Sequence, residues 1–563
     1  MFSLFGLLGL TAITTATPTA QSHSPSHDCT SLPHPHLPGA EILSVTGTEL
    51  INFTVPAVPP LLNENITDIN VCAVTVTLTH IDTTHTDTQP NDTVTIQIWL
   101  PLKSHSQWSS RFIGVGGSAW AAGIPPLTIA PYAAHRGFAA AATDAGLTPG
   151  PDGDILDPSP WALNSEGSIN EVLLENFASR SVHDLAVVGK AVTEAYYGRP
   201  AEYAYWEGCS TGGRQGLVTA QRYPGDFDGI VAGAPAGYWT WYVMAELWPQ
   251  VVMNEEGYYP NKCEWDAVRG DVVEVCDGLD GVVDGVVGDL GACEKVYRPE
   301  RTLPGKRVVC EEDGTEVVLS ERLARMAESI WKGPKTESGS PLWYGLTLGA
   351  PLDSLAGTVA VNESSTDRIG APFPVARDWT RFWVTQNPSF DFSTLDSAGL
   401  RDLFAQSVAK FEAVIDSSEP DLSRFHQAGG KLLVWHGEAD HIIFPQDSIR
   451  YHQEVQKAAG SKKSVDEFFR LFVAPGVDHC ALGSIDGAGP TDALAAVIDW
   501  VEKDKAPREL PAATLATAKN QFTRKLCAYP LVARYDGKGD PAKAESYNCV
   551  AQSTCAQVEW AAE

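Results

Sequence analysis

A short segment near the middle of the chain, residues 203–216, places a glycine-flanked serine between an aromatic strand and a helix. Its sequence is YAYWEGCSTGGRQG, in which residues 208–212 match the pattern G-x-S-x-G. The pattern is typical of a strained strand-to-helix turn, where the glycines relieve crowding and the helix N-terminus faces a developing oxyanion. Ser210 is therefore the candidate nucleophile, although the pattern alone is weak evidence in a chain with 49 glycines.

The segments on both sides of Ser210 predict a parallel α/β sheet. Apolar residues recur at helical spacing over 181–197, and the sequence Gly-Arg-Pro then ends this helix. A second helix follows the serine from Gly212 to Tyr223, and the apolar run 229–233 predicts a buried strand. Because helix and strand alternate in this order, the serine falls where parallel α/β sheets place their active sites.

Two later strands each end in a residue that would complete a catalytic triad with Ser210. An apolar run from Leu432 is followed by Asp440, and a run from Phe469 is followed by His479. The chain order of serine, acid and histidine is that of α/β-hydrolases. Each residue follows its strand by the few positions that an active-site loop needs, which favours this pair over the nearest rivals, Asp478, His436 and His441.

A glycine pair after the predicted strand 111–115 is a candidate part of an oxyanion hole. In α/β-hydrolases one backbone N–H comes from such a loop and the other from the residue after the nucleophile. The candidates are Thr211 and Gly117, with Gly116 as the neighbouring possibility. A plain turn from strand to loop is the competing interpretation.

Net charge and the N-terminal segment predict an exported protein with a small or neutral partner. The chain has 70 acidic and 40 basic residues, a formal net charge of −30, which argues against nucleic acid or anionic membranes as partners. Residues 1–20 are interpreted as a secretory signal peptide, because their apolar run is too short to span a membrane. N-glycosylation sequons at Asn52, Asn65, Asn91 and Asn362 agree with export.

Eleven cysteines in an exported chain predict disulfides. Cys209 directly precedes Ser210 and Cys480 directly follows His479, so these cysteines must lie close if serine and histidine meet. We also expect pairs between Cys29 and Cys72 and between Cys527 and Cys549. The pairing of the others is open, namely Cys263, Cys276, Cys293 and Cys310, and Cys555 is the candidate free thiol.

The alternation of strands and helices stops after residue 236 and returns only near residue 430. We predict a lid domain over 237–424, inserted in a catalytic domain formed by 21–236 and 425–563. Aromatic residues are concentrated at the start of the lid. They suit an aromatic substrate, although such clusters more often form core.

The lid contains an acidic loop over residues 276–287, with the sequence CDGLDGVVDGVV. The carboxylates of Asp277, Asp280 and Asp284 are separated by glycines that allow sharp turns, so they can converge on one hard cation. Calcium is the predicted ion, in a structural role, because no glutamate closes a twelve-residue EF-hand loop. A solvated acidic turn is the competing interpretation.

Taken together, these segments resemble the tannase and feruloyl esterase family of secreted serine esterases. The matching segments are 208–217, 220–236, the acidic loop from 276, 436–440 and 475–480. The resemblance implies an α/β-hydrolase fold with a large inserted lid and a disulfide between the cysteines beside the serine and the histidine. It also implies a lid calcium ion bound by the three aspartates and by the carbonyls of Val282 and Val286. Ala481 and Leu482 depart from the family, which usually has glycines there.

The resemblance implies a secreted carboxylic ester hydrolase that acts on esters of phenolic acids. Hydroxycinnamoyl esters are the first expectation, followed by galloyl esters of tannins or an ester of a secondary metabolite. A different class is a hydrolase-fold protein that binds a partner without catalysis. Such proteins usually lack the serine or the histidine, whereas Ser210, Asp440 and His479 are all present here.

Overall fold

A computed structural model describes residues 26–59, 62–81, 92–105, 108–311, 314–362, 367–483 and 485–551. The predicted signal peptide, the sequon at Asn91 and the candidate free thiol Cys555 lie outside these residues. None of the helices formed by these residues is both long enough and apolar enough to cross a bilayer.

Strands occur along the whole of this described chain. They are β1 (Ala40–Val55), β2 (Ile66–His80), β3 (Val94–Pro101), β4 (Arg111–Val115), β5 (Ala139–Thr143), β6 (Tyr203–Cys209), β7 (Gly229–Gly233), β8 (Arg307–Val309), β9 (Glu316–Val318), β10 (Thr358–Ala360), β11 (Arg368–Gly370), β12 (Lys431–Gly437), β13 (Phe469–Ala474), β14 (Gly489–Pro490), β15 (Glu509–Ala513), β16 (Thr523–Cys527), β17 (Leu531–Tyr535) and β18 (Tyr547–Ala551).

Helices connect the strands of the sheet and make up most of the predicted lid. They are α1 (Ala130–His135), α2 (Ser159–Ala162), α3 (Glu171–Glu175), α4 (Ser181–Tyr197), α5 (Thr211–Arg222), α6 (Trp239–Ala245), α7 (Trp248–Glu256), α8 (Lys262–Cys276), α9 (Leu290–Val296), α10 (Pro299–Thr302), α11 (Glu321–Lys332), α12 (Pro374–Asp378), α13 (Ser397–Ile415), α14 (Ser423–Gln427), α15 (Pro445–Ala458), α16 (Lys462–Val465) and α17 (Ala493–Lys503).

Nine strands form one mixed sheet in the order β1-β2-β3-β5-β4-β6-β7-β12-β13. In this sheet β5, β4, β6, β7, β12 and β13 are parallel to one another. At the side of β5 the strands β3, β2 and β1 follow, and each is antiparallel to the strand before it. The predicted parallel unit around the serine is therefore present. The long edge strand β1 is a feature that the sequence pattern did not predict.

Helices cover both faces of the sheet. Helices α4 and α5 contact one face, and α1 and α17 contact the other. In β6 the side chain of Trp206 belongs to the core on the first face and that of Tyr205 to the core on the second, and both are fully buried. Because neighbouring side chains of a strand point to opposite faces, two cores hold β6, the strand that leads to Ser210.

Between β7 and β12 the chain leaves the large sheet. Residues 234–430 contain helices α6 to α14 and two short hairpins, β8 with β9 and β10 with β11. The predicted lid, 237–424, falls inside this insertion, and its boundaries stay a prediction.

Five disulfides join the described cysteines. The three pairs expected from the sequence are present, Cys29–Cys72, Cys209–Cys480 and Cys527–Cys549. The pairs left open are Cys263–Cys310 and Cys276–Cys293, so both of them close loops within the inserted segment.

Candidate active site

Ser210 lies on the turn from β6 into α5, with φ 61° and ψ −122°. Residues with a Cβ rarely adopt a positive φ, so the turn is strained and its surroundings must hold it. The Ser210 N–H donates to the carbonyl of Gly233 on β7 (3.0 Å), and its own carbonyl accepts from the N–H of Arg214 (2.9 Å). A Cβ on Gly208 would lie 2.6 Å from the carbonyl carbon of Gly212, so this close approach requires glycine.

Asp440 and His479 meet beyond the ends of the neighbouring strands β12 and β13. His479 Nδ1 lies 2.8 Å from Asp440 Oδ2, and the two residues are 6% and 0% exposed. Asp440 Oδ1 accepts from the N–H groups of Ile442 and Ile443, both at 2.9 Å. The loop after β12 thus fixes the carboxylate before the histidine contacts it.

Charge shifts the protonation of both members of this pair. Burial disfavours the imidazolium of His479, but the Asp440 carboxylate outweighs it and raises the pKa of His479 above its ordinary value. Burial disfavours the ionised form of Asp440 as well, but His479 and His436 lower its pKa well below the usual range. The carboxylate therefore stays ionised while the histidine can take up a proton.

His436, a rival candidate for the triad histidine, occupies a different position. Its Nε2 lies 3.2 Å from both Asp440 Oδ2 and the Ile443 carbonyl, and its Nδ1 lies 2.8 Å from the hydroxyl of Ser448. Both of its ring nitrogens are thus engaged. In the described part of the chain no partner is found for Nε2 of His479, so this nitrogen is open to a substrate or to Ser210.

His441 and Asp478 directly adjoin the pair in sequence without replacing either member. Desolvation in its largely enclosed position lowers the pKa of the His441 imidazole. Asp478 is 1% exposed. The carboxylate that contacts the His479 ring at 2.8 Å is that of Asp440.

The disulfide between Cys209 and Cys480 connects the nucleophile turn with the histidine loop. Its Cα atoms are 6.0 Å apart, and Ser210 and His479 are the residues directly next to the two cysteines. Cys480 and Ala481 have φ of 55° and 56°, a conformation that favours glycine. Ala481 therefore carries local strain at a position where glycine would carry little.

The loop after β4 lies against the N-terminus of α5. The N–H of Gly212 donates to the carbonyl of Gly117 (3.1 Å), and the N–H of Thr211 is among those a helix start leaves without an intrahelical acceptor. The N–H of Gly117, a predicted oxyanion donor, donates to Gln215 Oε1 (3.0 Å). The sequence-based prediction gave Gln215 no role. A polar residue on the core-facing side of a helix was nevertheless a signal that its side chain has a buried hydrogen-bond partner.

Aromatic residues of the predicted lid, Trp239 at its start and Trp383 nearer its end, pack onto the same loop. Trp239 and Trp383 lie with ring centroids 5.2 and 4.7 Å from Trp120, which follows the predicted oxyanion glycines. All three indoles are at most 2% exposed. They form a core between the predicted lid and the loop after β4, and for Trp239 this agrees with the core interpretation of the aromatic cluster.

The acidic loop turns its carboxylates partly onto its own backbone. Asp277 accepts from the N–H groups of Asp284 and Gly285, at 3.0 and 2.9 Å, and Arg524 binds Asp284 Oδ2. Among the described residues, no group of three or more His, Cys, Asp and Glu side chains is arranged to hold a metal ion.

The donor chemistry of this loop still fits a hard cation. Burial, together with the charge of Asp284, raises the pKa of Asp280 to about 6, so the loop carries negative charge in an unfavourable setting. A cation bound between the carboxylates would reduce the repulsion between their charges. Arg524 provides only part of the positive charge that is needed.

Three predicted sequons have an asparagine in the described chain. Asn52, Asn65 and Asn362 are all exposed, as an attached glycan requires. Glycosylation at these positions stays a prediction.

A family model described as "Tannase and feruloyl esterase" matches residues 76–550. A probable feruloyl esterase of Arthroderma benhamiae is 45% identical over 548 residues, which are 97% of this chain and 97% of that protein. Feruloyl esterase B of Aspergillus niger is 30% identical over 476 residues, covering 81% of this chain and 83% of its own length.

Solved structures agree with these sequence matches. Tannin acyl hydrolase from Aspergillus niger superposes with a TM-score of 0.80 at 28% identity, over 92% of this chain and 93% of that chain. Feruloyl esterase B from Aspergillus oryzae gives a TM-score of 0.71 at 27% identity, over 92% and 97%. The predicted α/β-hydrolase fold class is confirmed.

Proposed function

Because the chain belongs to the tannase and feruloyl esterase family, we propose that it is a secreted serine esterase that cleaves esters of phenolic acids. Hydroxycinnamoyl esters are the preferred substrates, a choice supported by the names of the similar sequences. Secretion is supported by five disulfides, which form in oxidising compartments.

The observation that carries the mechanism is the contact of His479 with Asp440 beside the Cys209–Cys480 disulfide. Ser210 Oγ attacks the ester carbonyl carbon while His479 Nε2 takes its proton. When the tetrahedral intermediate collapses, His479 gives that proton to the leaving alcohol, and the acyl group stays on the serine. A water molecule then attacks the acyl-serine, His479 takes its proton and returns it to Ser210 Oγ, and the phenolic acid leaves.

Asp440 orients the imidazole and stabilises its charged form in this cycle. The N–H of Thr211 donates to the oxyanion from the N-terminus of α5, where the helix dipole also favours negative charge. A cavity of about 300 Å³ lies beside the loop that packs on this N-terminus, and its walls include Trp120, Asp144 and Trp161. Its size is that of a small-ligand site, but Ser210, Asp440 and His479 are not among its lining residues.

Replacing the nucleophile tests this proposal. Ser210→Ala is expected to lower kcat on methyl ferulate by about 10⁴-fold or more with little change in KM, because only the covalent step is lost. Phenylmethylsulfonyl fluoride is expected to add a mass to the peptide containing Ser210 in the wild type and none in the variant. More than about a tenth of the activity in a folded Ser210→Ala protein would show that another group is the nucleophile.

Galloyl esters are the second candidate substrates, favoured by the structural similarity to a tannin acyl hydrolase. A panel of methyl ferulate, methyl gallate, chlorogenate and a plain aliphatic ester separates the possibilities through kcat/KM. A preference for methyl gallate would replace the first choice. Equal rates on the aliphatic ester would remove phenolic specificity.

We also propose a structural calcium ion in the acidic loop, held by Asp277, Asp280 and Asp284 with the carbonyls of Val282 and Val286. It would neutralise the loop's buried charge, and no step of the reaction passes through it. Elemental analysis should find one calcium, and chelation should lower the melting temperature because the ion binds only the folded chain. Asp280→Asn should lower the melting temperature more than kcat, and an equal loss of kcat at an unchanged melting temperature would contradict a structural role.

A further inference from the structure

In the loop after β4, four of the five backbone N–H groups from Gly116 to Trp120 have a hydrogen-bond acceptor. The N–H of Gly116 donates to the carbonyl of Glu207 at 3.0 Å and that of Gly117 to Gln215 Oε1 at 3.0 Å. The N–H groups of Ser118 and Trp120 donate to the carbonyls of Ala121 and Ile155, both at 3.1 Å. Over the described residues no acceptor is found for the N–H of Ala119.

The hydrogen bond from the Gly117 N–H is fixed, because the side-chain amide of Gln215 that accepts it cannot rotate. Gln215 is fully buried, and its Nε2 donates to the carbonyl of Ala122 at 2.9 Å while its Oε1 faces Gly117. Rotating the amide by half a turn would set its NH₂ group against the N–H of Gly117 and its oxygen against a carbonyl. A substrate oxygen would therefore have to break this buried bond to reach Gly117.

Ala119 has the opposite properties. It is partly exposed, whereas Gly117 is buried, and its φ of 48° places it in the left-handed region that alanine seldom adopts. The hydroxyl of Thr211 donates to its carbonyl at 2.6 Å, which holds Ala119 against the residue that follows the nucleophile. Ala119 thus combines an N–H that has no acceptor in the described parts of the chain, an unusual backbone conformation and a hydrogen bond that clamps its carbonyl to Thr211.

We propose that the backbone N–H of Ala119, and not that of Gly117, is the second oxyanion donor, opposite the N–H of Thr211. The inference rests on the proposed serine mechanism. The hydroxyl of Thr211 holds the carbonyl of Ala119 beside the residue that follows the nucleophile, and Gln215 holds Gly117 in the same loop. Such fixed donors need no rearrangement when charge develops on the substrate oxygen.

An ester bond in place of one peptide bond tests the donor directly. Lactic acid introduced at position 119 by nonsense suppression replaces the N–H of Ala119 by oxygen and leaves the side chain unchanged. The expected result is a fall in kcat of about 10² to 10³-fold with KM within about threefold, the signature of a lost oxyanion donor. Affinity for an arylboronate transition-state analogue should fall with kcat.

Lactic acid at position 121 is the matched control. It carries the same chemical change in the same loop, and the N–H that it removes donates to the carbonyl of Ser118 at 2.9 Å. We expect a fall in kcat of less than about tenfold. Glycolic acid at position 117 completes the series, and a larger loss of kcat there than at position 119 would assign the donor to Gly117 and overturn the proposal.

The clamp, the hydrogen bond from the Thr211 hydroxyl to the Ala119 carbonyl, gives a second test that needs only ordinary amino-acid substitutions. Thr211→Val removes the hydroxyl that holds the Ala119 carbonyl but keeps the backbone N–H of residue 211. It is expected to lower kcat about tenfold at an unchanged KM, and Thr211→Ser, which keeps the hydroxyl, should retain most of the activity. Equal kcat values for the two variants would contradict the clamp.

Failure of this inference differs from failure of the serine mechanism. If Ser210→Ala keeps its activity, the mechanism itself is wrong. If Ser210→Ala is inactive but the ester at position 119 turns over like the control at 121, only the assignment of Ala119 is wrong.

Discussion

At the catalytic edge one carboxylate contacts two histidines, whereas near the end of β2 one histidine lies between two carboxylates. Asp440 Oδ2 lies 2.8 Å from His479 and 3.2 Å from His436. His80 Nδ1 lies 2.6 Å from Asp92, and its Nε2 lies 3.0 Å from Asp184. Both clusters bury their carboxylates, so burial alone does not separate them.

The difference lies in the second nitrogen of each histidine. His80 has a carboxylate on both nitrogens, and although burial opposes its charge, Asp184 and Asp92 raise its pKa to about 9. It is a fixed cation at neutral pH. His479 has a carboxylate on one nitrogen only, so its proton can be exchanged with a substrate. A histidine beside a carboxylate is therefore suited to catalysis only where its other nitrogen is left open.

Replacing one carboxylate of each cluster by asparagine should give the largest difference in kcat between the two clusters. Asp440→Asn leaves the imidazole poorly oriented and its charged form unsupported, so we expect kcat to fall by about 10⁴-fold. Asp184→Asn, the matched change beside His80, should leave kcat within about threefold. Steady-state kinetics on methyl ferulate measures both, and similar losses in the two variants would contradict the assignment of roles.

The pH profile adds a signed test of the same pair. In the proposed mechanism neutral His479 is the base, and its pKa is raised above the ordinary 6.5 by Asp440. The kcat/KM of the wild type should therefore rise with pH through a midpoint above 6.5. In Asp440→Asn the midpoint should move to lower pH, since the carboxylate that raised it is gone.

Removing the disulfide beside the proposed triad is expected to have the next largest effect. In a folded double variant, Cys209→Ala with Cys480→Ala, the distance from Ser210 to His479 is free to vary, and a displacement of about 1 Å can cost about a hundredfold in rate. The matched control is Cys263→Ala with Cys310→Ala, which opens a lid disulfide away from the chemistry. Kinetics at a temperature where circular dichroism shows both folded should find the loss only in the first variant.

Much of this edge of the sheet follows from local sequence. The strained turn at Ser210, the helices around it and the strands leading to Asp440 and His479 each have a strong hydrophobic period or a short motif. Strand β1 escapes prediction because its side chains are mostly exposed, so it lacks a continuous apolar run.

Contacts between segments that are far apart in the sequence could not be predicted from local patterns. Gln215 reaches Gly117 from 98 residues away, and Arg524 reaches Asp284 from 240 residues away. The sequence presents His436 only as a rival for the triad histidine, and its contact with Asp440 depends on how the loop after β12 folds back. Such pairings are set by tertiary packing and leave no periodic signal in the sequence.

His436 offers a smaller and sharper test of the shared carboxylate. His436→Phe keeps a ring of similar size but removes the donor to Asp440, and we expect kcat to fall about tenfold, as for loss of one hydrogen bond to a charged group. His436→Gln keeps an N–H donor at a similar reach and should lose less. The split between kcat and KM is the readout, and equal kcat values in the two variants would remove His436 from the positioning of Asp440.

His80 should affect stability and leave catalysis unchanged. Because its folded pKa of about 9 exceeds the ordinary 6.5, its stabilisation is fully present below about pH 6.5 and is lost as pH rises through about 9. Asp92, Asp184 and Arg180 are the charged groups that face it. The pKa change of His80 corresponds to at most about 3.5 kcal/mol of unfolding free energy, at about 1.4 kcal/mol for each pH unit.

The measurement compares urea unfolding of the wild type and of His80→Gln between pH 6 and pH 10. The wild type should be the more stable protein at pH 6, and the difference should shrink as the pH approaches 10, while kcat at pH 7 stays within about twofold. Parallel stability curves would mean that His80 is not held as a cation. The contrast with His479 would then rest on the open nitrogen alone, and no longer on charge.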